Sequence, residues 1–369
     1  MDIKTIYSKA PTRIDLAGGT VDIWPLYLML DRPVTLNLGI NLYAEAHLEF
    51  STATNGQKTG VTLRTEDQNQ ELTLDWSDFK SPMTLPSSLE LHAKLMRFFL
   101  AEKLSLGASD SFFSKTHLRL STRAQAPAGS GLGGSSTLSV ALAGALATWA
   151  RGTPVDPLEQ GERLIEVVRD VESTVIQVPA GLQDYYGAMY GGLQSLKWKA
   201  GQHERTYLPE DLIAELNDRL LLFYSGQSRN SGINNWALFK DFIDRRGSVR
   251  AQFEKITQAT QELEAALLVR DWQRVGEAIA AEWSSRKTLA IGITTSEIDQ
   301  AFAEAQKLAP LSGKVCGAGG GGCFFVYLPV DSPQERKKLK QEIQELFTRQ
   351  GIRTLAFSGV PRGLEVQVR

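Results

Sequence analysis

The stretch from residue 116 to 150 constrains the fold most. T-H-L-R-L-S-T-R-A alternates polar and apolar positions as a half-buried strand does, P-A-G-S-G-L-G-G-S-S-T follows at 127–137, and T-L-S-V-A-L-A-G-A-L-A-T-W-A then has the Ala and Leu content and period of a buried helix. The segment therefore reads as strand, glycine turn and helix N-terminus in that order. A run of Gly and Ser at a helix start carries an entropic cost that a plain turn would not require.

Three ligand readings compete for the glycine run. Gly129, Gly131 and Gly134 satisfy the dinucleotide pattern G-x-G-x-x-G, but the acidic partner expected about 20 residues on would have to be Asp156, set between prolines in G-T-P-V-D-P. Gly129 and Gly134 also have Walker A spacing, yet Ser135 stands where lysine is required. The third reading keeps every residue in use. Backbone N–H groups of Pro127-to-Ser136, excepting proline, and the positive end of the helix hold phosphate, leaving serine hydroxyls for a metal. The phosphate-binding candidates are Pro127, Gly129, Ser130, Gly131, Leu132, Gly133, Gly134, Ser135 and Ser136.

At 369 residues the chain favours two domains over one. A formal net charge of -2 lacks the basic excess that attracts a phosphate backbone, so no nucleic-acid partner is expected. The first residues carry no charged segment followed by an apolar run, and no apolar stretch reaches membrane-span length, which gives a cytoplasmic reading with no membrane partner. Cys316 and Cys323 flank a second glycine run, fit no zinc spacing, and read as small buried residues. The four histidines are scattered, so acid-base chemistry falls to carboxylates.

Strands are expected over residues 3–13 and 34–50, a hairpin arm over 60–74, and helices over 88–104 and 157–172. Residues 179–192 read as a glycine-punctuated loop before a short strand. Beyond residue 210 come a strand at 219–224, charged helices between 234 and 307, the second glycine run, a helix over 334–350 and a closing strand near 363–368. Mixed strands and long helices with few strict βαβ units indicate an α+β protein, divided at 1–205 and 206–369.

P-A-G-S-G-L-G-G-S-S resembles the second signature of the GHMP kinases, the superfamily of galactokinase, homoserine kinase, mevalonate kinase and phosphomevalonate kinase. A-P-T-R-I-D-L-A-G-G-T-V-D resembles the first signature and C-G-A-G-G-G-G-C-F-F the third, in the right order. The resemblance implies a two-domain fold, with an N-terminal domain like ribosomal protein S5 domain 2 and a ferredoxin-like C-terminal domain. It implies ATP and Mg²⁺ as cofactors, Ser136 and Glu172 as metal ligands, Asp184 as the catalytic carboxylate and Arg13 as its basic partner. Gly18, Gly19 and Asp22 correspond to acceptor-binding positions, and Gly319 and Gly320 to backbone that approaches triphosphate or substrate. Asp184 is the one charge in P-A-G-L-Q-D-Y-Y-G-A-M-Y-G-G-L, a setting that is costly for a carboxylate without a function.

Within the superfamily the stretches L-Q-D-Y-Y-G-A-M-Y-G-G-L, Y-S-G-Q-S-R-N-S and E-W-S-S-R-K-T-L-A-I-G-I-T-T-S-E-I-D are similar to those of kinases acting on D-glycero-D-manno-heptose 7-phosphate at the anomeric oxygen. A phosphorylated sugar needs fixed cations, for which Arg229 and Lys287, with Arg286 beside it, are available. The alternatives are an anomeric kinase of an unphosphorylated sugar (fucose, galactose, a uronic acid or heptose) and a catalytically silent nucleotide-binding regulator. The expected partner is a small sugar or sugar phosphate, and a homodimer is an allowed assembly.

Overall fold

The computed structural model describes residues 4–52, 59–81, 84–109, 113–226, 231–317 and 319–369. A first sheet holds β1 (Lys4–Ala17), β2 (Val34–Thr52), β3 (Gly60–Thr65), β4 (Gln70–Leu74), β5 (Thr116–Ala124), β6 (Leu193–Lys197) and β7 (Glu204–Tyr207). A second holds β8 (Leu220–Tyr224), β9 (Ser312–Val315), β10 (Cys323–Tyr327) and β11 (Arg353–Leu355), while β12 (Glu365–Val368) returns to the first. The helices are α1 (Ser87–Ser105), α2 (Gly134–Arg151), α3 (Pro157–Ile176), α4 (Gln183–Tyr190), α5 (Asp211–Arg219), α6 (Ser231–Ile243), α7 (Val249–Leu268), α8 (Trp272–Arg286), α9 (Ser296–Ala305) and α10 (Pro333–Arg349).

The first sheet runs β12-β1-β2-β5-β3-β4, and the long β2 also pairs through its first residues with β6, which pairs β7. Only β3 and β5 are parallel among the described pairings, with α1 lying between them in sequence. Helix α2 sits at the centre. Its small residues allow close approach: a Cβ on Gly144 would meet Ser8 Oγ at 2.6 Å and a Leu364 methyl at 2.9 Å. Asp156, the residue that a dinucleotide reading would need as a ribose ligand, instead caps α3. Its side chain accepts from Leu158 N at 2.8 Å, with Pro157 at the first helical position. That removes the dinucleotide alternative on physical grounds.

The second sheet is antiparallel in the order β11-β8-β10-β9, reached by strand, helices, strand, strand, helix, strand. This is the ferredoxin-like arrangement. The domain division expected at 205/206 departs from the sheets at both ends. β7 continues the first sheet to Tyr207, and β12 pairs with β1 from Ile6↔Val368 to Lys9↔Glu365. The alternation of residues 363–368 announces a strand but carries no information about which sheet receives it. Leu132, from the first glycine loop, packs in one apolar cluster with Ile14 and Leu36 of the first sheet and Cys316, Cys323 and Phe325 of the second. Among the described residues no helix is long and apolar enough to cross a membrane.

Candidate active site

The two glycine runs meet backbone to backbone. Cys323 N donates to Ser130 O at 2.7 Å, closing the β10 end onto the first loop. A Cβ on Gly131 would lie 2.4 Å from Cys316 O, one on Gly317 2.8 Å from Gly131 O, and one on Gly322 2.8 Å from the Gly129 and Ser130 carbonyls. Gly131 and Gly317 also have φ of +77° and +63°, open to glycine without strain. Gly133, at φ +75°, is the N-cap of α2, and nothing lies within 4 Å of where a Cβ on Gly134 would be. The loop is thus rigid on the side of the second sheet and open at the helix N-terminus, where free N–H groups and the helix dipole favour an anion.

Asp184 stands in the first turn of α4, against this opening: a Cβ on Gly133 would meet its Cγ at 3.0 Å. Arg13 of β1 reaches it across the site. Its Nε donates to Asp184 Oδ1 at 2.8 Å and its Nη2 to the same oxygen, while Nη1 donates to Gly131 O at 2.7 Å. The arginine is buried and the carboxylate partly open, with side-chain exposures of 2% and 25%. Burial opposes the Arg13 charge, but the carboxylates of Asp184 and Asp15 overcome it and keep the guanidinium protonated above its ordinary range.

Glu172 projects from α3 into the same region and is buried. Tyr185 Oη donates to its Oε2 at 2.7 Å and Ser139 Oγ to the same atom at 3.2 Å. Burial pushes its pKa above the usual carboxylate value, against hydrogen bonds from Ser135, Tyr185 and Ser136. A buried carboxylate beside two serine hydroxyls at a phosphate-loop helix fits a hard cation with few protein ligands, as magnesium is.

Asp22 lies at the start of α4. Its Oδ2 accepts Gln183 N at 2.9 Å, and Gly181 is needed beside it, because a Cβ there would be 2.4 Å from that oxygen. Burial pushes the Asp22 carboxyl up to about 6, against the Gln183 hydrogen bond, with the charges of Asp184 and Asp15 adding to the rise.

The GHMP kinases N terminal domain model matches residues 94–192, and the GHMP kinases C terminal model matches residues 263–349. The chain belongs to the GHMP kinases. It is 24% identical over 368 residues to D-glycero-alpha-D-manno-heptose 7-phosphate kinase of Campylobacter jejuni, covering 95% of this chain and 99% of that one. It is 26% identical to L-fucokinase/L-fucose-1-P guanylyltransferase of Bacteroides fragilis, across 92% of this chain and 36% of the larger protein. In fold it is similar to a D-glycero-D-manno-heptose 1-phosphate kinase from Bacteroides thetaiotaomicron, with a TM-score of 0.69 and 20% identity over 98% of both chains. The Lactococcus lactis galactokinase complexed with galactose has a TM-score of 0.66 and 16% identity, over 98% of this chain and 95% of that one. As a GHMP kinase the chain is an ATP-dependent enzyme.

The residues expected from sequence divide by position in this GHMP kinase. Arg13, Asp184, the 129–136 loop, Glu172 and Asp22 converge around the first turns of α2 and α4. Gly18 and Gly19 are near Asp22, but their polar backbone is used inside the protein: Gly18 N donates to Glu282, and Gly19 O accepts from Arg286. Among the described contacts, those of Gly319 and Gly320 run to Ile293 and not to the first loop. Gly320 N donates to Ile293 O at 2.8 Å and a Cβ on Gly319 would lie 2.5 Å from that same carbonyl, so the contact with the first loop belongs to Gly317 and Gly322. Lys287 is exposed at the end of α8, and among the described residues it makes no ion pair with the site. Its neighbour Arg286 is buried and turned inward, because one residue along a helix rotates a side chain by roughly 100°. Arg229 lies outside the described residues.

Gln183, Tyr185, Asp15, Glu282 and Lys314 also belong to this region and were not anticipated as site residues. Tyr185 could have been suspected from its place next to Asp184. Lys314, a lysine in the otherwise apolar run ahead of the second glycine loop, was the other available signal.

Proposed function

We propose that this kinase transfers the γ-phosphoryl group of ATP to the anomeric hydroxyl of a sugar, and that the sugar is D-glycero-D-manno-heptose 7-phosphate, giving the 1,7-bisphosphate. The observation that carries the reading is the bridge made by Arg13, which ties Asp184 and the carbonyl of Gly131 into one unit. A carboxylate fixed beside a phosphate loop is placed to receive a proton from a hydroxyl aimed at that phosphate. The heptose assignment draws on the similarity to the Campylobacter jejuni kinase along nearly the whole chain.

In this scheme N–H groups of the 129–136 loop bind the triphosphate oxygens, and Arg13 holds Asp184 in place beside them. Asp22 accepts a hydrogen bond from a second hydroxyl of the sugar and fixes which hydroxyl faces the phosphate. The acceptor oxygen forms its bond to the γ-phosphorus as the β,γ-bridging oxygen leaves with ADP, and the hydroxyl proton passes to Asp184. Ser136 and Glu172 would hold magnesium, which when bound offsets the charge on the phosphates.

An unphosphorylated sugar is the second reading, favoured by the inward position of Arg286 and the exposure of Lys287, which leave Arg229 as the remaining expected clamp. ADP release measured with heptose 7-phosphate, heptose, fucose and galactose side by side separates the two. Preference for the 7-phosphate supports the first reading, turnover of a plain sugar alone supports the second, and silence with all four overturns the first and leaves only a uronic acid of the second.

A further inference from the structure

Four charged side chains lie sealed between the two sheets: Asp15 on β1, Glu282 and Arg286 on α8, and Lys314 on β9. Lys314 Nζ is 3.0 Å from Asp15 Oδ2 and 3.1 Å from Glu282 Oε1. Arg286 completes the chain with Nε at 2.8 Å and Nη2 at 2.6 Å from the same Glu282 oxygen. Two acids and two bases balance, yet an apolar cluster of similar volume would commonly be as stable or more so. The arrangement therefore calls for a role other than stability.

Its remaining contacts converge on one loop. Glu282 Oε1 accepts from Gly18 N at 3.2 Å, Arg286 Nη2 donates to Gly19 O at 2.8 Å, and Arg286 Nη1 reaches Thr20 Oγ1 at 3.4 Å. Thr20 has φ +70°, a left-handed conformation that a β-branched residue adopts only when its surroundings force it. Gly18, at φ +79°, is wedged so that a Cβ would sit 2.2 Å from Val34 O. Two residues after Thr20 the chain presents Asp22 to Gln183, the residue before Asp184.

We propose that Glu282 and Arg286 are positioning residues for the acceptor. From the second half of the chain, α8 holds residues 18–20 in a strained conformation that aims Asp22 into the site, without touching the acceptor itself. The proposal rests on Asp22 binding the acceptor, as in the function proposed above.

The test is the double variant Glu282→Leu with Arg286→Met, which removes both charges together and leaves Lys314 paired with Asp15, so that no lone charge stays buried. Two measurements are made on the full-length enzyme. Amide hydrogen exchange should quicken in residues 18–22 and stay unchanged in 129–136. KM should rise about 10- to 100-fold for whichever of heptose 7-phosphate, heptose, fucose or galactose the wild type turns over, the scale expected of a small misplacement, while KM for ATP stays within about twofold. Arg286→Lys keeps a cation on Glu282 but loses the fork to Gly19 and Thr20. It should give the same pattern in smaller measure, and it decides the matter if the double variant does not fold. Unchanged exchange at 18–22, or KM for ATP and sugar rising together, overturns the proposal. If the wild type turns over none of the four sugars, the proposed function fails, and the exchange measurement alone decides whether α8 pins the loop.

Discussion

Arg13 places two of its five N–H groups on a single oxygen of Asp184, Oδ1, and another on the carbonyl of Gly131. Among the described residues Oδ2 makes no hydrogen bond, and it lies 3.2 Å from where a Cβ on Gly133 would be, on the side of the phosphate loop. One oxygen is anchored, and the other is the one that the proposed scheme offers to an incoming hydroxyl. Asp184→Asn preserves this shape and removes the proton acceptor, so turnover should fall by roughly 10²- to 10⁴-fold with ATP binding retained. Steady-state kinetics beside nucleotide titration checks both halves, and an unchanged kcat would take Asp184 out of the chemistry.

The opening at the start of α2 is tested by two glycines with opposite surroundings. Gly131→Ala drives a methyl to within 2.4 Å of Cys316 O at a left-handed φ, and should destabilise the protein by roughly 2 kcal/mol or more. Gly134→Ala meets nothing within 4 Å and lies in a helix, so thermal stability should hold or rise slightly. If triphosphate oxygens occupy that space, the same substitution should raise KM for ATP. A stable variant with normal ATP affinity would place the phosphates elsewhere.

Asp22 gives a pH signature. Its carboxyl is pushed up to about 6 by burial, so the ionised form, which in the proposed scheme accepts a sugar hydroxyl, prevails above that value. The account predicts that kcat/KM for the sugar declines as pH falls through about 6 and that Asp22→Asn abolishes this limb. The sign for stability is opposite. A raised folded-state pKa means that ionised Asp22 disfavours folding, with no penalty below about pH 4, growth between 4 and 6, and the full effect above. Asp22→Asn should therefore be less active but more stable at pH 8, by roughly 3 kcal/mol, and should show no gain near pH 4.

Glu172 is also held above its ordinary pKa by burial, although Ser135, Tyr185 and Ser136 donate to it. Its neutral isostere, Glu172→Gln, should be at least as stable at neutral pH. If Glu172 and Ser136 hold magnesium, both Glu172→Gln and Ser136→Ala should raise the Mg²⁺ concentration needed for half-maximal rate. A Mg²⁺ titration of turnover measures this directly, and an unshifted midpoint in both would remove the pair as ligands.

Residues with a strong local signature could be placed from sequence. The first glycine loop showed itself because strand alternation, turn composition and helix period change within about thirty residues, and the resemblance supplied Arg13, Glu172 and Asp184 as partners. Helix α4 falls in a stretch whose sequence reads as a loop, because the helix is eight residues long, carries Gly187 in its middle and is buried on nearly every side, so no apolar stripe marks it. The inward turn of Arg286 against the outward Lys287 depends on helix phase relative to a distant loop, which neighbouring residues do not encode. The return of β12 to β1 and the abutment of Gly317 and Gly322 on the first loop are likewise long-range choices, settled by packing between the sheets.

The most direct test of the central claim is the identity of the product. Wild-type enzyme, ATP, Mg²⁺ and D-glycero-D-manno-heptose 7-phosphate are incubated together and followed by ³¹P NMR. The account predicts a new phosphoester resonance split by coupling to the anomeric proton, growing in step with ADP while the 7-phosphate signal persists. ADP formation without a new phosphoester, or a phosphoester on any other carbon, would contradict it.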